Sequence, residues 1–117
     1  MSDPALIDAS LRVALLQTAL VWQDAAANRA HFSKLFSQLA EVDLVVLPET
    51  FSSGFSMQSS LIAETMQGDT VRWLQQQAAL YQFAICGSLA IQTEQGVCNR
   101  LLWVQPEGKI AYYDKRH

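Results

Sequence analysis

A glutamate and a lysine, each at the end of a short apolar run, are the residues of this sequence best placed to do chemistry. Glu49 follows the apolar run 44–47, and Lys115 follows the apolar run 110–113. A strand that ends in the core leaves its terminal carboxylate partly desolvated, and such a carboxylate is suited to act as a general base. The alternative is that Glu49 only ends a strand and that Lys115 is solvated.

The motifs around these two residues resemble those of the nitrilase, or carbon-nitrogen hydrolase, superfamily. They follow the order and approximate spacing of that superfamily over most of the chain. The motifs are Leu16-Gln17, Leu47-Pro48-Glu49, Asn99-Arg100 and Tyr113-Asp114-Lys115-Arg116-His117. The string from Pro48 to Met57 and the C-terminal string look like the omega-amidase branch in particular. That branch removes ammonia from the terminal amide of short 2-oxo acids such as 2-oxoglutaramate.

The resemblance implies a role for each candidate residue. The family uses glutamate, lysine and cysteine. Glu49 would therefore take the proton of a thiol, pass it to the leaving ammonia and later activate water against a thioester, while Lys115 would stabilise the oxyanion. Phe51, Phe55 and Met57 follow Glu49 and are candidates for a substrate-binding wall, with ordinary loop packing as the alternative. The resemblance implies no cofactor.

Neither cysteine of the chain suits the role of nucleophile. Cys86 lies in an apolar run, where a small buried residue is expected, and burial without a cationic neighbour raises the pKa of a thiol. Cys98 lies beside a predicted hairpin turn. In the family the nucleophile follows the lysine, whereas both cysteines precede Lys115. The nucleophile is therefore expected beyond His117, so the chain would cover less than half of such an enzyme.

Composition excludes several other classes of protein. The chain has 117 residues, a net charge of −3 and only eight scattered basic residues, which argues against a nucleic-acid partner. No apolar run reaches the roughly 20 residues that span a membrane. The N-terminus lacks the basic start and apolar block of a signal peptide, so a cytoplasmic location is predicted. The two histidines show no spacing suited to zinc, and no metal is predicted.

The order of elements predicts an α/β fold, the first part of a nitrilase-like α-β-β-α sandwich. Strands are predicted at 11–17, 44–47, 83–91, 99–104 and 110–113, and helices at 24–40 and 69–81. Strand, helix and strand imply a right-handed parallel crossover. We expect a flexible N-terminus over 1–10, and over 11–117 the N-terminal portion of a single carbon-nitrogen hydrolase domain.

Several details of packing follow from the same pattern. The first three strands should lie side by side, with both helices on one face and helix caps at Asp24 and Asp69. The strand 11–17 should be buried. The second sheet of the family's sandwich needs later sequence, so this chain should expose apolar surface. In the first helix an apolar stripe should face inward and the polar side should face water. The stripe is Phe32, Leu35, Phe36 and Leu39, and the polar side is Asn28, Arg29, Ser33 and Lys34.

Two hypotheses of function remain from the sequence. The first is an amide hydrolase of the omega-amidase kind, acting on a small-molecule amide as a homodimer, of which this chain is the N-terminal portion. The second is a catalytically inactive, truncated module for binding or oligomerisation. The identities of Glu49 and Lys115 favour the first hypothesis, because a module without catalysis has no chemical need for either residue.

Overall fold

The computed structural model describes residues 10–53 and 62–115, which form one five-stranded sheet and two long helices. The elements are β1 (Val13–Leu15), α1 (Ala25–Phe36), β2 (Leu44–Val46), α2 (Asp69–Tyr81), β3 (Ala84–Thr93), β4 (Gly96–Val104) and β5 (Ile110–Lys115). The strands lie in the sheet in chain order. β1, β2 and β3 pair in parallel, and β3, β4 and β5 form an antiparallel meander. The predicted side-by-side arrangement of the first three strands is confirmed.

Both helices cover the same face of the sheet, as predicted. The ring of Phe36 in α1 stacks on Trp73 in α2 with centroids 5.5 Å apart. The indole Nε1 of Trp73 also donates a hydrogen bond to Ser33 Oγ at 2.8 Å. The core lies between this helix layer and the sheet, and its largest fully buried aromatic side chains are Phe32, Phe36 and Phe51. The helix layer therefore shields one face of the sheet.

The prediction for the polar side of α1 is wrong at three of its four positions. Asn28 is only 1% exposed, Arg29 Nη1 donates to Thr70 Oγ1 at 2.8 Å, and Ser33 accepts from Trp73. These side chains face α2 and the loop before α1 rather than water. Helical periodicity identifies the side that faces the sheet, but it does not show that a second helix lies beside the first. Lys34 is exposed, as predicted.

The two predicted helix caps have different outcomes. Asp24 caps α1, since its carboxylate accepts from the backbone N–H of Ala27 at 3.0 Å. Asp69 does not cap α2. The helix begins directly after Gly68, and the carboxylate of Glu64 accepts from the backbone N–H of Thr70 at 2.9 Å. Glu64 is brought there by a bridge to β3, a long-range contact that local sequence does not indicate.

The sheet face opposite the helices carries exposed apolar side chains, and we call it the open face. The strand register places Val13, Leu15, Trp103 and Tyr113 on it, with exposures between 39% and 67%. The prediction of a buried strand at 11–17 is therefore wrong for this chain, because β1 is a short edge strand with nothing among the described residues over its outer side. The predicted exposure of apolar surface is confirmed.

Gly87 in β3 lets the side chains of Phe51 and Leu47 pack closely against the strand. A Cβ atom there would lie 2.9 Å from Phe51 Cδ1 and 3.2 Å from Leu47 Cδ1. We expect Gly87→Ala to lower the free energy of unfolding by about 1–3 kcal/mol, the usual cost of overpacking a core. Thermal denaturation followed by circular dichroism measures this loss. An unchanged midpoint would show that Phe51 can move away at no cost.

Candidate active site

Glu49 and Lys115 meet at the edge of the open face. Lys115 Nζ lies 2.7 Å from Glu49 Oε1, which makes a charge-assisted hydrogen bond. Glu49 comes just after the carboxyl end of β2, and Lys115 is the last residue of β5. The antiparallel register turns Lys115 toward the open face, on the same side as Asn99 of β4. The fold thus brings together the two candidate catalytic residues.

The Glu49–Lys115 pair is more exposed to solvent than the sequence predicted. The side chain of Glu49 is 65% exposed and that of Lys115 is 32% exposed. The prediction that a strand end desolvates Glu49 is therefore wrong for the described residues, because the adjacent open face is uncovered. In this environment an ion pair contributes little to stability, typically under about 1 kcal/mol.

A tight turn directs Glu49 and Phe51 to opposite sides of the sheet. Thr50 has a φ of +47°, in the left-handed region. Its backbone N–H donates to Ser88 Oγ at 3.0 Å, and the N–H of Phe51 donates to the carbonyl of Ser88 at 3.3 Å. Asn28 Nδ2 donates to the carbonyl of Ser52 at 2.7 Å, just downstream. The sequence did not predict that Ser88 and Asn28 hold this turn. For Ser88 the available signal was a polar residue within the apolar run of β3.

Phe51 belongs to the core and not to a substrate-binding wall. Its ring is fully buried and lies about edge-on to Phe32, with centroids 6.1 Å apart, and 6.1 Å from the ring of Trp73. The sequence interpretation is wrong at this position because the turn at Thr50 sends the side chain to the helix side of the sheet. The other two candidates for the wall, Phe55 and Met57, lie outside the described residues.

The two cysteines lie on opposite faces of the sheet. Cys86 pairs with Trp103 on the open face, the same face as Lys115. Burial raises the pKa of the Cys86 thiol, and the charge of Lys115 only partly opposes this effect. A cation therefore does lie near Cys86, which the sequence did not predict, but the thiol remains protonated at neutral pH.

Cys98 lies on the helix side of β4, across the sheet from Lys115. Its Sγ lies 3.4 Å from Asp114 Oδ1, and burial together with this carboxylate raises the pKa of the thiol. Cys98 therefore does not share a site with Lys115. Neither cysteine of the chain therefore has the depressed pKa of an activated nucleophile.

An ion pair on the helix side fixes the strand that carries Lys115. Arg100 in β4 binds both carboxylate oxygens of Asp114 in β5, at 2.6 and 3.0 Å, and its guanidinium lies 3.9 Å from the ring centroid of Tyr112. The hydrogen bond with Asp114 raises the pKa of Arg100. Because neighbouring residues of a strand alternate between faces, holding Asp114 on one face holds Lys115 on the other.

The described residues contain neither a cluster suited to a metal ion nor a helix suited to a membrane. Within 10–53 and 62–115, no group of three or more histidine, cysteine or acidic side chains could hold a metal ion. In the same ranges no helix has the length and apolar character needed to cross a membrane.

Comparisons with known proteins identify the family to which the chain belongs. The family profile "Carbon-nitrogen hydrolase" matches residues 12–117. The Omega-amidase YafV of Escherichia coli K12 is 43% identical over 107 residues, which cover 92% of this chain and 41% of that protein. The CN-hydrolase superfamily protein XC1258 from Xanthomonas campestris has a TM-score of 0.88 and 51% identity, covering 92% of this chain and 41% of its own. A carbon-nitrogen hydrolase from Helicobacter pylori, with a TM-score of 0.78 and 18% identity, shares the fold.

The sheet and the helix layer define an α/β fold, which carries the paired carboxylate of Glu49 and ammonium of Lys115. The chain belongs to the carbon-nitrogen hydrolase family, an amidohydrolase family of the nitrilase superfamily. Within that family it is similar to omega-amidases, and it spans about two fifths of the length of those relatives. The family expectation from the sequence is confirmed.

Proposed function

We propose that this chain supplies the general base and the oxyanion-stabilising cation of an omega-amidase, with Glu49 and Lys115 in those roles. The observation that carries the proposal is the 2.7 Å contact between Glu49 Oε1 and Lys115 Nζ. The similarity to omega-amidases supports the same reading. The family resemblance implies a cysteine nucleophile in sequence beyond Lys115, whereas both cysteines of this chain precede Lys115 and burial raises the pKa of both thiols.

The first half of the proposed reaction forms a thioester. Glu49 takes the proton of the thiol, and the sulfur attacks the amide carbon, so that an S–C bond forms and the carbonyl oxygen becomes an oxyanion. Lys115 stabilises this oxyanion by its fixed positive charge. When the intermediate collapses, the C–N bond breaks. The protonated Glu49 gives its proton to the leaving nitrogen, which departs as ammonia.

The second half of the reaction releases the acid. Glu49, again a carboxylate, takes a proton from water, and the resulting hydroxide attacks the thioester carbon. The S–C bond breaks, the carboxylic acid leaves and the sulfur regains its proton from Glu49. The substrate class that we propose is the terminal amide of short 2-oxo acids, on the basis of the omega-amidase relatives. We also propose a homodimer on the basis of the family resemblance, and a cytoplasmic location on the basis of the sequence composition.

The open face is the surface on which we expect the rest of the active site to pack. Val13, Leu15 and Trp103 present apolar surface beside the pair. We propose that sequence beyond Lys115 covers this face and carries the cysteine toward Glu49. Covering the face would also remove water from the pair, which strengthens its electrostatic interaction with an oxyanion.

The chain alone should release no ammonia from 2-oxoglutaramate, because burial raises the pKa of both its thiols and leaves it without an activated nucleophile. The complete enzyme, meaning the polypeptide that continues beyond His117 or this chain joined to the remainder of the E. coli relative, should release it. A coupled ammonia assay measures both. Turnover by the 117-residue chain that Cys98→Ala abolishes would contradict the proposal and make Cys98 the nucleophile. An inactive complete enzyme would favour the binding-module hypothesis.

A further inference from the structure

The turn that carries Glu49 has a backbone conformation that its sequence does not favour. Thr50 has a φ of +47°, and the left-handed region is rare for a β-branched residue. Such a conformation persists only where the surrounding structure fixes it. The contacts that hold Thr50 are therefore the contacts that place the neighbouring Glu49.

Ser88 makes two of these contacts. Its Oγ accepts from the backbone N–H of Thr50 at 3.0 Å, and its carbonyl accepts from the N–H of Phe51 at 3.3 Å. Ser88 is only 2% exposed. The ladder between β2 and β3 ends two residues earlier, at Cys86, so Ser88 binds a turn where a strand would otherwise have continued. Its hydroxyl thus replaces a backbone partner that the turn lacks.

The residues after Thr50 are held by other groups. The ring of Phe51 is fully buried in the core, and Asn28 Nδ2 donates to the carbonyl of Ser52 at 2.7 Å. These contacts fix the chain on the helix side of the sheet. The Ser88 hydroxyl therefore holds the Thr50 amide itself, immediately beside Glu49.

We propose that Ser88 is a positioning residue for Glu49. Its hydroxyl holds the left-handed turn at Thr50 and so keeps the Glu49 carboxylate against the Lys115 ammonium. This inference deepens the proposed function and rests on it. Without the hydroxyl, the turn relaxes away from its strained conformation and the carboxylate moves. A misplacement of about 1 Å in a catalytic group can reduce the rate by about 100-fold.

The first test compares Ser88→Val with Ser88→Thr in the complete enzyme. These two side chains have the same shape and differ only by the hydroxyl group. We expect the valine variant to lose about 10- to 100-fold in kcat with little change in KM, and the threonine variant to keep most of its kcat. Equal kcat values for the two folded variants would overturn the proposal.

Ser33→Ala is the matched control for Ser88→Ala. Ser33 is a serine whose Oγ also accepts a hydrogen bond, from Trp73 Nε1 at 2.8 Å, but it lies between the two helices and away from the pair. Both alanine substitutions should lower the Tm of the enzyme. Only Ser88→Ala should lower kcat, measured at a temperature where circular dichroism shows both proteins folded. A similar loss of kcat in both would reduce Ser88 to a structural role and overturn the proposal.

A readout without activity separates this inference from the proposed function. In the complete enzyme labelled with ¹⁵N at lysine Nζ, Glu49→Gln should shift the Lys115 resonance, because the partner of the ammonium loses its negative charge. The same substitution should shift it much less in the Ser88→Val background, where the pair is already loosened. An equal shift in both backgrounds would overturn the positioning role even if the enzyme is inactive, whereas inactivity with the expected shifts would contradict only the proposed function.

Discussion

Glu49→Gln should reduce the rate of acylation of the complete enzyme by about 10³- to 10⁴-fold, close to the full contribution of a general base. Glutamine keeps the size of the side chain and can still contact Lys115, which lies 2.7 Å from Oε1 in the wild-type protein. It cannot take a proton from a thiol. Substrate binding should change little, so the loss should appear in kcat and not in KM.

The same substitution at Glu41 is the matched control. Glu41 is an exposed glutamate that pairs with Arg12 at 2.5 Å, on the surface of the protein. Glu41→Gln should leave kcat within about twofold, since a surface ion pair contributes little. Rapid-quench kinetics with a short omega-amide measures both variants. If Glu49→Gln keeps more than about a tenth of the wild-type rate, a loss under about 1.4 kcal/mol of barrier, Glu49 is not the general base.

Lys115→Ala should be nearly as damaging, with a loss of about 10²- to 10³-fold in kcat, the usual effect of removing one oxyanion donor. The variant also leaves Glu49 without its cationic neighbour. Lys115→Arg should remain impaired, because a planar guanidinium does not reproduce the position of a compact ammonium. Lys34→Ala, at an exposed position of α1, is the control and should behave like wild type. Full activity of Lys115→Ala would show that the oxyanion is stabilised by other groups.

The meeting of Glu49 and Lys115 could be predicted because it depends on features that sequence records well. A short apolar run without alternation indicates a buried strand, and β2 is one. The turn at 106–109 carries proline and glycine, which indicate the hairpin that brings β5 back along β4. The order of motifs then identified the family, and with it the roles proposed for the two side chains.

The details around the pair could not be predicted because they depend on contacts between distant elements. The left-handed φ of Thr50 has no local signal, since threonine is rarely found there. Asn28 is buried because a loop and Ser52 surround it, and helical periodicity does not reveal such neighbours. The choice between a substrate-binding wall and packing for Phe51 could not be made for the same reason, since the turn at Thr50 decides the direction of its side chain.

The exposure of β1 shows a second limit of prediction from sequence. Its apolar residues are of the kind that a core contains, and the sequence interpretation of a buried strand followed from them. Leu15 is nevertheless 67% exposed, because none of the described residues covers this side of β1. The same holds for Glu49, whose expected desolvation requires a cover on the open face. Local sequence indicates which surfaces need a partner, but not where the partner comes from.

Mass spectrometry of the complete enzyme, quenched during turnover of a short omega-amide, tests the central claim most directly. The account predicts an acyl group on one cysteine beyond Lys115, with no acyl group in Glu49→Gln and unchanged labelling in Cys86→Ala and Cys98→Ala. An acyl group on Cys86 or Cys98 would contradict the assignment of the nucleophile to sequence outside this chain. The same rate of acylation in wild type and Glu49→Gln would contradict the assignment of Glu49 as the general base and, with it, the proposed pairing of Glu49 and Lys115 in catalysis.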